Sequence, residues 1–487
     1  MPLSKIINTS IIIKVLSFLL MIEAVFMFSG LLFAWYYGED MKPLFLSALL
    51  TGVVGLVIWI SISPSVRKKG ITRREGYLIV TLSWITVSVF GAIPFMISGY
   101  IPDFTDAFFE TISGFTTTGA TVLTDIESVP KNLLYWRATT HWIGGMGIIV
   151  LTVAILPFLG IGGMQLLVAE MPGITPDKLH PRITATAKRL WGIYVIFTLF
   201  EILLLWLGEM DFFDAVCHAF ATMATGGFST KNDSIAGFSP YIQYVITFFM
   251  IMAGTNFTLH YLVLHKKIAK AWNNQEFRVY IGILSVVALF VATGLFVDTH
   301  LPAEQSIRDA LFTTASILTT TGFVTADYIL WPSFLWMMVF ALMFIGGSAG
   351  STGGGMKVVR HLLLVKNSWI ELKRAIHPSA VIPVKFNGKS VSQEIIFNVM
   401  AFFLIYVMIF GLGTLILSLN GLDFETSIGA TIATLGNIGP GIGGVGPVLN
   451  YAYLSPMVKW VLALLMLLGR LELFTVLIIF SGSFWRL

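Results

Sequence analysis

The sequence is poor in the residues that soluble proteins and metalloproteins rely on. Only 11% of its 487 residues are Asp, Glu, Lys or Arg, against about 25% in average soluble proteins. A single cysteine, Cys217, excludes an intrachain disulfide framework and a cysteine-based metal site. The eight histidines show no metal-ligand spacing, and no Ser/His/Asp arrangement is indicated. These absences argue against an enzyme, and so apolar a chain is a poor candidate for binding nucleic acid.

Apolar residues are abundant instead. They make up 56% of the chain, and the mean hydropathy is +0.84. They form continuous runs of roughly 20 residues, the length of a helix that crosses a bilayer. The first run, 11–37, is too long for a signal-peptide core and predicts a retained helix. We therefore expect an all-α polytopic membrane protein embedded in a lipid bilayer.

A short Thr/Gly segment occurs four times, and internal repeats of this kind constrain architecture strongly. The four copies are Thr116–Thr121, Ala224–Phe228, Thr319–Phe323 and Leu435–Pro440. In the first three copies a glycine follows thirteen positions after an aspartate: Gly119 after Asp106, Gly227 after Asp214, Gly322 after Asp309. In the fourth copy the same count from Asp423 ends at Gly436, with Gly439 as the alternative.

The chemistry of such a segment follows from its residue types. An ion stripped of water needs oxygens in place of its hydration shell, and main-chain carbonyls and threonine hydroxyls supply them without fixed charge. Glycine permits the backbone angles that let consecutive carbonyls face one axis. The carbonyl end of a preceding half-helix would favour a cation there. The alternative interpretation is four ordinary Gly/Thr turns.

The apolar pattern around these segments is a span, a half-helix and a second span, four times over. The half-helices, about 11 residues each, are too short to cross the bilayer. The predicted half-helices are 106–116, 213–224, 308–319 and 424–434, and the later second spans are 240–264, 334–366 and 456–480. The predicted units are 1–76 with two helices, then the repeats 77–188, 189–276, 277–392 and 393–487.

Charge predicts the topology. Twenty of the thirty Lys and Arg residues lie in four segments, 67–74, 178–189, 266–278 and 357–389, which the positive-inside rule places in the cytoplasm. The Thr/Gly segments then enter from outside, and both termini are cytoplasmic. Acidic residues flank the half-helices, and we expect Asp106, Asp214 and Asp309 to cap their N-termini.

The four segments, TTTGA, TGGFS, TTTGF and GNIGP, resemble the filter loops of the Trk/Ktr/HKT superfamily of potassium transporters, and the resemblance covers essentially the whole chain. It implies four membrane–pore loop–membrane repeats in pseudo-fourfold order after a two-helix unit. It also implies a homodimer with one pore per protomer in the bacterial inner membrane, and a cytosolic, nucleotide-binding regulatory ring of the TrkA kind. Potassium is then the substrate, and no cofactor is implied.

The resemblance also assigns residues. The implied ion-binding filter consists of Thr117, Thr118, Gly119, Thr225, Gly226, Gly227, Thr320, Thr321, Gly322, Asn437, Ile438 and Gly439. The Gly-x-x-Gly pattern of the superfamily favours Gly439 over Gly436 in the fourth loop. In plant relatives a serine at the first filter glycine accompanies sodium preference, so Gly119 favours potassium.

A glycine-rich stretch interrupts the third repeat's second span. Its glycines are Gly346, Gly347, Gly350, Gly353, Gly354 and Gly355. Each glycine costs a helix roughly 1 kcal/mol relative to alanine, so we expect a broken helix that lines a cavity. The stretch resembles the superfamily's intramembrane loop, which lies under the filter and acts as a gate. Close packing of helices through small residues is the alternative.

Arg470 lies in the last apolar span, where an unpaired charge costs at least about 2.5–3.5 kcal/mol on insertion scales. A matching arginine in the superfamily projects into the pore below the filter, which implies a positive barrier to flux. The alternative is a structural ion pair with Glu472, Glu201 or Glu23.

The sequence thus predicts a potassium-selective, channel-like uptake subunit. A secondary symporter that couples potassium to protons or sodium is the alternative, with Glu201 or Glu472 as candidate proton sites. A Gly-x-Gly-x-x-Gly match at 441–446 is set aside, because it follows a half-helix and runs into Pro447 rather than joining a strand to a helix.

Overall fold

The computed structural model describes residues 7–62, 72–159 and 183–485. Within these ranges the chain is helical apart from a two-stranded antiparallel hairpin, Lys385–Phe386 with Lys389–Ser390. Among the described residues, six helices are long and apolar enough to cross a membrane, or eight if each of two bent pairs counts as one span. The protein is therefore an all-helical, multi-pass membrane protein, as predicted. Much of the predicted basic segments 67–74 and 178–189 lies outside the described residues.

Two helices form an antiparallel hairpin at the N-terminus and precede the first short helix. The helices up to the second short one are Thr9–Tyr37, Lys42–Ser61, Arg73–Gly91, Ile93–Ser98, Phe104–Phe115, Lys131–Leu159, Ile183–Leu207 and Phe212–Ala224. The first helix begins at the Asn8 side chain, which accepts the Ile11 N–H, and ends at Gly38 with φ of 69°. Glycine at such a position satisfies the last carbonyls without strain.

The second half of the chain repeats the alternation of long and short helices. Its helices are Pro240–Ala253, Phe257–Leu264, Ile268–Trp272, Gln275–Asp298, Ala303–Leu318, Ser333–Leu342, Val358–Ile376, Gln393–Leu419, Phe424–Leu435, Pro456–Arg470, Phe474–Leu477 and Gly482–Trp485. The first to fourth short helices are named here in chain order: Phe104–Phe115, Phe212–Ala224, Ala303–Leu318 and Phe424–Leu435. They lie within the protein, whereas long helices such as Gln393–Leu419 carry exposed leucines and phenylalanines.

Three of the four short helices begin at an aspartate, but none of them begins at an aspartate predicted as a cap. Asp103, Asp211 and Asp423 are the N-caps, and each side chain accepts a backbone N–H of the first turn. The third short helix starts after Pro302 with no side-chain cap. The expected caps Asp106, Asp214 and Asp309 were therefore wrong, since all three lie inside their helices. Hydrogen bonds from the hydroxyl and N–H of Thr426 hold the pKa of Asp423 below its usual value.

Two of the predicted second spans are bent rather than straight. The stretch 240–264 divides into Pro240–Ala253 and Phe257–Leu264 at 100° to each other, and 456–480 divides into Pro456–Arg470 and Phe474–Phe480 at 112°. The predicted span 334–366 is broken between Ser333–Leu342 and Val358–Ile376, with the glycine-rich stretch between them. All three breaks place irregular backbone beside the ends of the short helices.

Candidate ion pathway

The four Thr/Gly segments, here called loops 1 to 4, share an unusual backbone conformation. Each has a glycine in the left-handed region, with φ of 84°, 82°, 82° and 95° for Gly119, Gly227, Gly322 and Gly439. Each also has a non-glycine residue two positions earlier with positive φ. These residues are Thr117, Thr225, Thr320 and Asn437, at 53° to 60°. Such angles are rare for β-branched residues, so their recurrence marks equivalent positions in the four loops.

This conformation identifies the counterpart in loop 4. Gly439 has the left-handed φ of the other three glycines, whereas Gly436 caps the fourth short helix with φ of −80°. The choice of Gly439 over Gly436 therefore agrees with the geometry.

The four loops contact one another in a closed ring. A methyl group added at any of the four glycines would lie against a backbone carbonyl oxygen of the next loop. The pairs are Gly119 with Gly226 O at 2.2 Å, Gly227 with Thr321 O at 2.1 Å, Gly322 with Ile438 O at 1.9 Å, and Gly439 with Thr118 O at 2.6 Å. The cyclic order is therefore 1, 2, 3, 4 and back to 1. Every contacted carbonyl belongs to the residue just before a ring glycine.

All four ring glycines border one cavity. It has a volume of about 140 Å³ and is also lined by residues that follow the glycines in the chain, among them Ala120, Phe228, Val324 and Pro440. Among the described residues, no side-chain carboxylate lines it, and the charged side chains in its lining are those of Arg137 and Lys231. The oxygens that the ring offers to a bound ion are therefore neutral.

Threonine side chains brace loops 1 and 3. Thr116 and Thr118 join their hydroxyls at 2.8 Å, and Thr319 and Thr321 do so at 2.7 Å. In loop 4 the amide of Asn437 donates to the Thr118 hydroxyl at 3.0 Å and to the Met466 carbonyl at 2.9 Å. Loop 4 is thus tied directly to loop 1.

Side chains that surround the ring hold its backbone in place through hydrogen bonds. His141 Nδ1 donates to the Gly114 carbonyl at 2.7 Å, while its Nε2 accepts the Phe228 N–H at 3.2 Å. His141 is therefore a buried packing residue that is hydrogen-bonded through both ring nitrogens. The Tyr451 hydroxyl donates to the Gly439 carbonyl at 2.7 Å, a contact that no sequence pattern had indicated.

The glycine-rich stretch lies on the other side of the ring from the cavity. Its backbone contacts residues that precede the ring glycines: Gly354 N–H donates to the Thr320 hydroxyl at 2.6 Å, and the Thr352 hydroxyl donates to the Met223 carbonyl at 3.0 Å. The Lys357 ammonium donates to the Gly353 carbonyl. The stretch therefore lies against the residues that precede the ring glycines, and the buried Lys357 ammonium is held against its backbone.

Arg470 reaches the same place from the last bent pair of helices. Its side chain is buried and donates to the Thr117 hydroxyl at 3.1 Å, the Thr352 carbonyl at 2.8 Å and the Gly144 carbonyl at 2.8 Å. Glu472, considered as its ion-pair partner, contacts Arg360 instead. Arg470 thus joins loop 1 to the glycine-rich stretch, and its charge lies directly beside the ring.

The described part of the chain has no metal site built from carboxylate, thiolate or imidazole ligands. Across residues 7–62, 72–159 and 183–485 there is no cluster of three or more His, Cys, Asp or Glu side chains able to hold a metal ion. Any ion held at the ring would be coordinated by backbone and hydroxyl oxygens.

Comparison with known proteins places this geometry in a family. The TrkH cation transport protein model matches residues 51–487. The Trk system potassium uptake protein TrkH of Escherichia coli K12 is 44% identical over 440 residues, 89% of this chain and 90% of that protein. The TrkH of Vibrio parahaemolyticus is 42% identical over 489 residues, 98% of this chain and 99% of that protein.

A solved structure gives the same result. The crystal structure of the potassium transporter TrkH from Vibrio parahaemolyticus has a TM-score of 0.88 and 38% identity, covering 98% of this chain and all of that one. The superfamily resemblance predicted from the four loops is confirmed. This chain belongs to the TrkH family of cation transport proteins, and it is a membrane transport protein rather than an enzyme.

Proposed function

We propose that this chain is the potassium-translocating subunit of a Trk uptake system in the bacterial inner membrane, and that potassium permeates it as through a channel. The closed contact of the four loops around one cavity carries the proposal. The relatives named as Trk potassium uptake proteins support the choice of ion.

Potassium fits the proposed filter because its hydration shell is replaced by neutral oxygens. The proposed ligands are the carbonyls and hydroxyls of the twelve predicted filter residues, with the ring glycines allowing neighbouring loops to touch. Four loops in cyclic order support the finer architecture of four membrane–pore loop–membrane repeats around a pseudo-fourfold axis. The repeat bounds 77–188, 189–276, 277–392 and 393–487 belong to this proposal.

The glycine-rich stretch is the proposed gate, with Arg470 as a positive barrier beside it. Hydrogen bonds from Gly354 and Thr352 to the ring and the short helices support a position that obstructs the exit. A regulatory, nucleotide-binding ring of the TrkA kind would bind the basic cytoplasmic segments and move the stretch, in a homodimer with one pore per protomer. Deleting Gly347–Gly353 should raise basal ion flux, and unchanged flux would remove the gate from the proposal.

Coupled symport is the second candidate, and Glu201 favours it. This side chain is fully buried. The Thr222 hydroxyl of the second short helix is a polar neighbour of it, and among the described residues no group forms a hydrogen bond of good geometry with either carboxylate oxygen. An isolated ionised carboxylate is costly at membrane depth, so such a residue tends to hold a proton. Glu201 is accordingly the proposed proton site of a symport mechanism.

One flux experiment separates the two candidates. The purified protein is reconstituted in liposomes, and uptake of external rubidium, a potassium surrogate, is measured with competing external potassium or sodium, with and without a proton gradient. Channel-like permeation gives a rubidium flux that potassium competes for, sodium does not, and the proton gradient leaves unchanged. A flux that follows the proton gradient and loses this dependence in Glu201→Gln establishes symport. Equal competition by sodium and potassium rejects potassium selectivity.

A further inference from the structure

A buried ion pair lies behind loops 1 and 2. Arg137 Nε and Glu110 Oε1 are 2.6 Å apart, and their side chains are 3% and 0% exposed. Glu110 belongs to the first short helix, and Arg137 to the helix Lys131–Leu159. A buried pair is weak support for stability alone, because apolar residues of similar volume often serve as well. Its other contacts indicate what it does.

The carboxylate of Glu110 fixes the chain as it leaves loop 1. It accepts hydrogen bonds from the Thr121 hydroxyl at 2.9 and 3.0 Å, and from the Val122 N–H at 2.8 Å. Thr121 is the second residue after the ring glycine Gly119.

The guanidinium of Arg137 fixes the chain as it leaves loop 2. It donates to the Ser229 carbonyl at 2.9 Å and lies 3.5 Å from the centre of the Phe228 ring. Ser229 is the second residue after the ring glycine Gly227. One ion pair therefore holds the same position of two neighbouring loops, the two that touch where Gly119 meets Gly226.

The corresponding positions of loops 3 and 4 are held by neutral groups. The second residue after Gly322 is Val324, whose carbonyl accepts the Ile235 N–H at 3.0 Å. The second residue after Gly439 is Gly441, whose carbonyl accepts from the Tyr328 hydroxyl at 2.6 Å. Charge-assisted hydrogen bonds are shorter and stronger than neutral ones, so the boundary between loops 1 and 2 is the most firmly set.

We propose that Glu110 and Arg137 are positioning residues that set the separation of loops 1 and 2, and so the size of cation that the ring accepts. The inference rests on the proposed potassium filter. Glu110 does not line the cavity that the ring glycines border, whereas Arg137 does. Each acts through the carbonyls of the loop that it anchors, and separating the two loops weakens coordination of a dehydrated potassium ion more than passage of a hydrated sodium ion.

The test compares the initial rates of rubidium and sodium uptake into liposomes that contain equal amounts of each protein. The melting temperature of each variant shows that it is folded. Glu110→Gln keeps the shape and its acceptor oxygen but removes the charge. It should lower the rubidium-to-sodium ratio by about tenfold, the size expected from the loss of a charge-assisted hydrogen bond. The double variant Glu110→Gln with Arg137→Gln should fall no further than the worse single variant, because both remove one interaction.

Arg137→Lys is the second variant, for the case that Glu110→Gln fails to fold. Lysine keeps the charge but lacks the planar fork that reaches two partners at once, so the ratio should fall between those of wild type and Glu110→Gln. Asp106→Asn is the matched control, since it breaks the pair with the buried Lys459 near the other end of the same short helix. Its ratio should stay at the wild-type value.

The possible outcomes distinguish failure of this inference from failure of the proposed potassium filter. Wild-type protein that does not prefer rubidium to sodium overturns the proposed filter and the inference with it. A selective wild type whose ratio survives in folded Glu110→Gln and Arg137→Lys overturns the inference alone. An equal loss of ratio in Asp106→Asn also overturns it, because breaking any ion pair of the first short helix would then suffice.

Discussion

Loops 1 and 3 lie opposite each other in the ring and are built alike, whereas loops 2 and 4 differ from them and from each other. Loops 1 and 3 share the sequence Thr-Thr-Thr-Gly and the same pair of bonded hydroxyls. Loop 2 has two glycines, and loop 4 has asparagine and isoleucine before its glycine. The backbone angles nevertheless agree in all four. The backbone of the ring is therefore close to fourfold, while its side-chain support is at most twofold.

The loop 4 sequence shows which residue types the ring accepts two positions before its glycine. Asn437 takes the left-handed conformation, which asparagine tolerates better than most residues. Its amide reaches the Thr118 hydroxyl of loop 1. Threonine and asparagine, both polar, are the residue types that take positive φ at this position in the four loops.

The largest expected effect comes from filling the ring. Gly119→Ala and Gly322→Ala place a Cβ 2.2 and 1.9 Å from a carbonyl oxygen of the next loop. Rubidium uptake should fall by roughly 100-fold, because displacement of a ligand carbonyl adds to an overpacking cost of about 1–3 kcal/mol. Gly411→Ala is the control, since a Cβ there has open space. Unequal losses of rubidium uptake in Gly119→Ala and Gly322→Ala would show that loops 1 and 3 are not functionally equivalent.

The second effect has the opposite sign. Arg470 donates to Thr117 of loop 1 and to the glycine-rich stretch, so it distinguishes loop 1 from loop 3. Arg470→Ala removes a positive charge beside the ring, and uptake should rise by about tenfold, which corresponds to a barrier lower by about 1.4 kcal/mol. Arg470→Lys keeps the charge and should stay close to wild type. An unchanged rate in the alanine variant would reject the barrier.

A third change makes loop 4 resemble loops 1 and 3. Asn437→Thr keeps a residue type that already holds positive φ at Thr117 and Thr320, but it removes the donor to the Met466 carbonyl. Rubidium uptake should fall by about fivefold, since a lost buried hydrogen bond costs about 1 kcal/mol. Wild-type uptake in this variant would show that the ring needs only the backbone angle here.

Much of the ring could be predicted from the sequence because it depends on local signals. Short apolar segments followed by Thr and Gly are visible in each repeat, and left-handed backbone explains the glycines. In loop 4 the count of thirteen positions ended at Gly436 because it started from an aspartate at a different position of its helix. Asp423 is the N-cap and corresponds to Asp103, not Asp106. Sixteen positions separate each of these caps from its ring glycine, Gly119 or Gly439.

The supports behind the ring could not be predicted, because they join residues far apart in the chain. Arg137 contacts a carboxylate 27 positions away and a carbonyl 92 positions away, and no local pattern specifies either distance. The bend after Ala253 did have a signal, since Asn256 caps the following helix two residues after Gly254. The bend after Arg470 had none, because Glu472 and Leu473 take positive φ without glycine.

The smallest expected effect concerns the tyrosine hydroxyl that donates to the backbone of loop 4. Tyr451 and Tyr328 are both buried, and they donate to the carbonyls of Gly439 and Gly441 respectively. Tyr451→Phe should lower rubidium uptake by about threefold, because one neutral hydrogen bond contributes about 0.5–1.5 kcal/mol. Tyr328→Phe is matched in burial and chemistry but acts two residues beyond the ring, so it should lower the melting temperature similarly and leave uptake nearer to wild type. Equal losses of uptake would mean that the two tyrosines hold the whole outer cavity as one packed shell. Loop 4 would then lack a support of its own, and the contrast with the charged support of loops 1 and 2 would disappear.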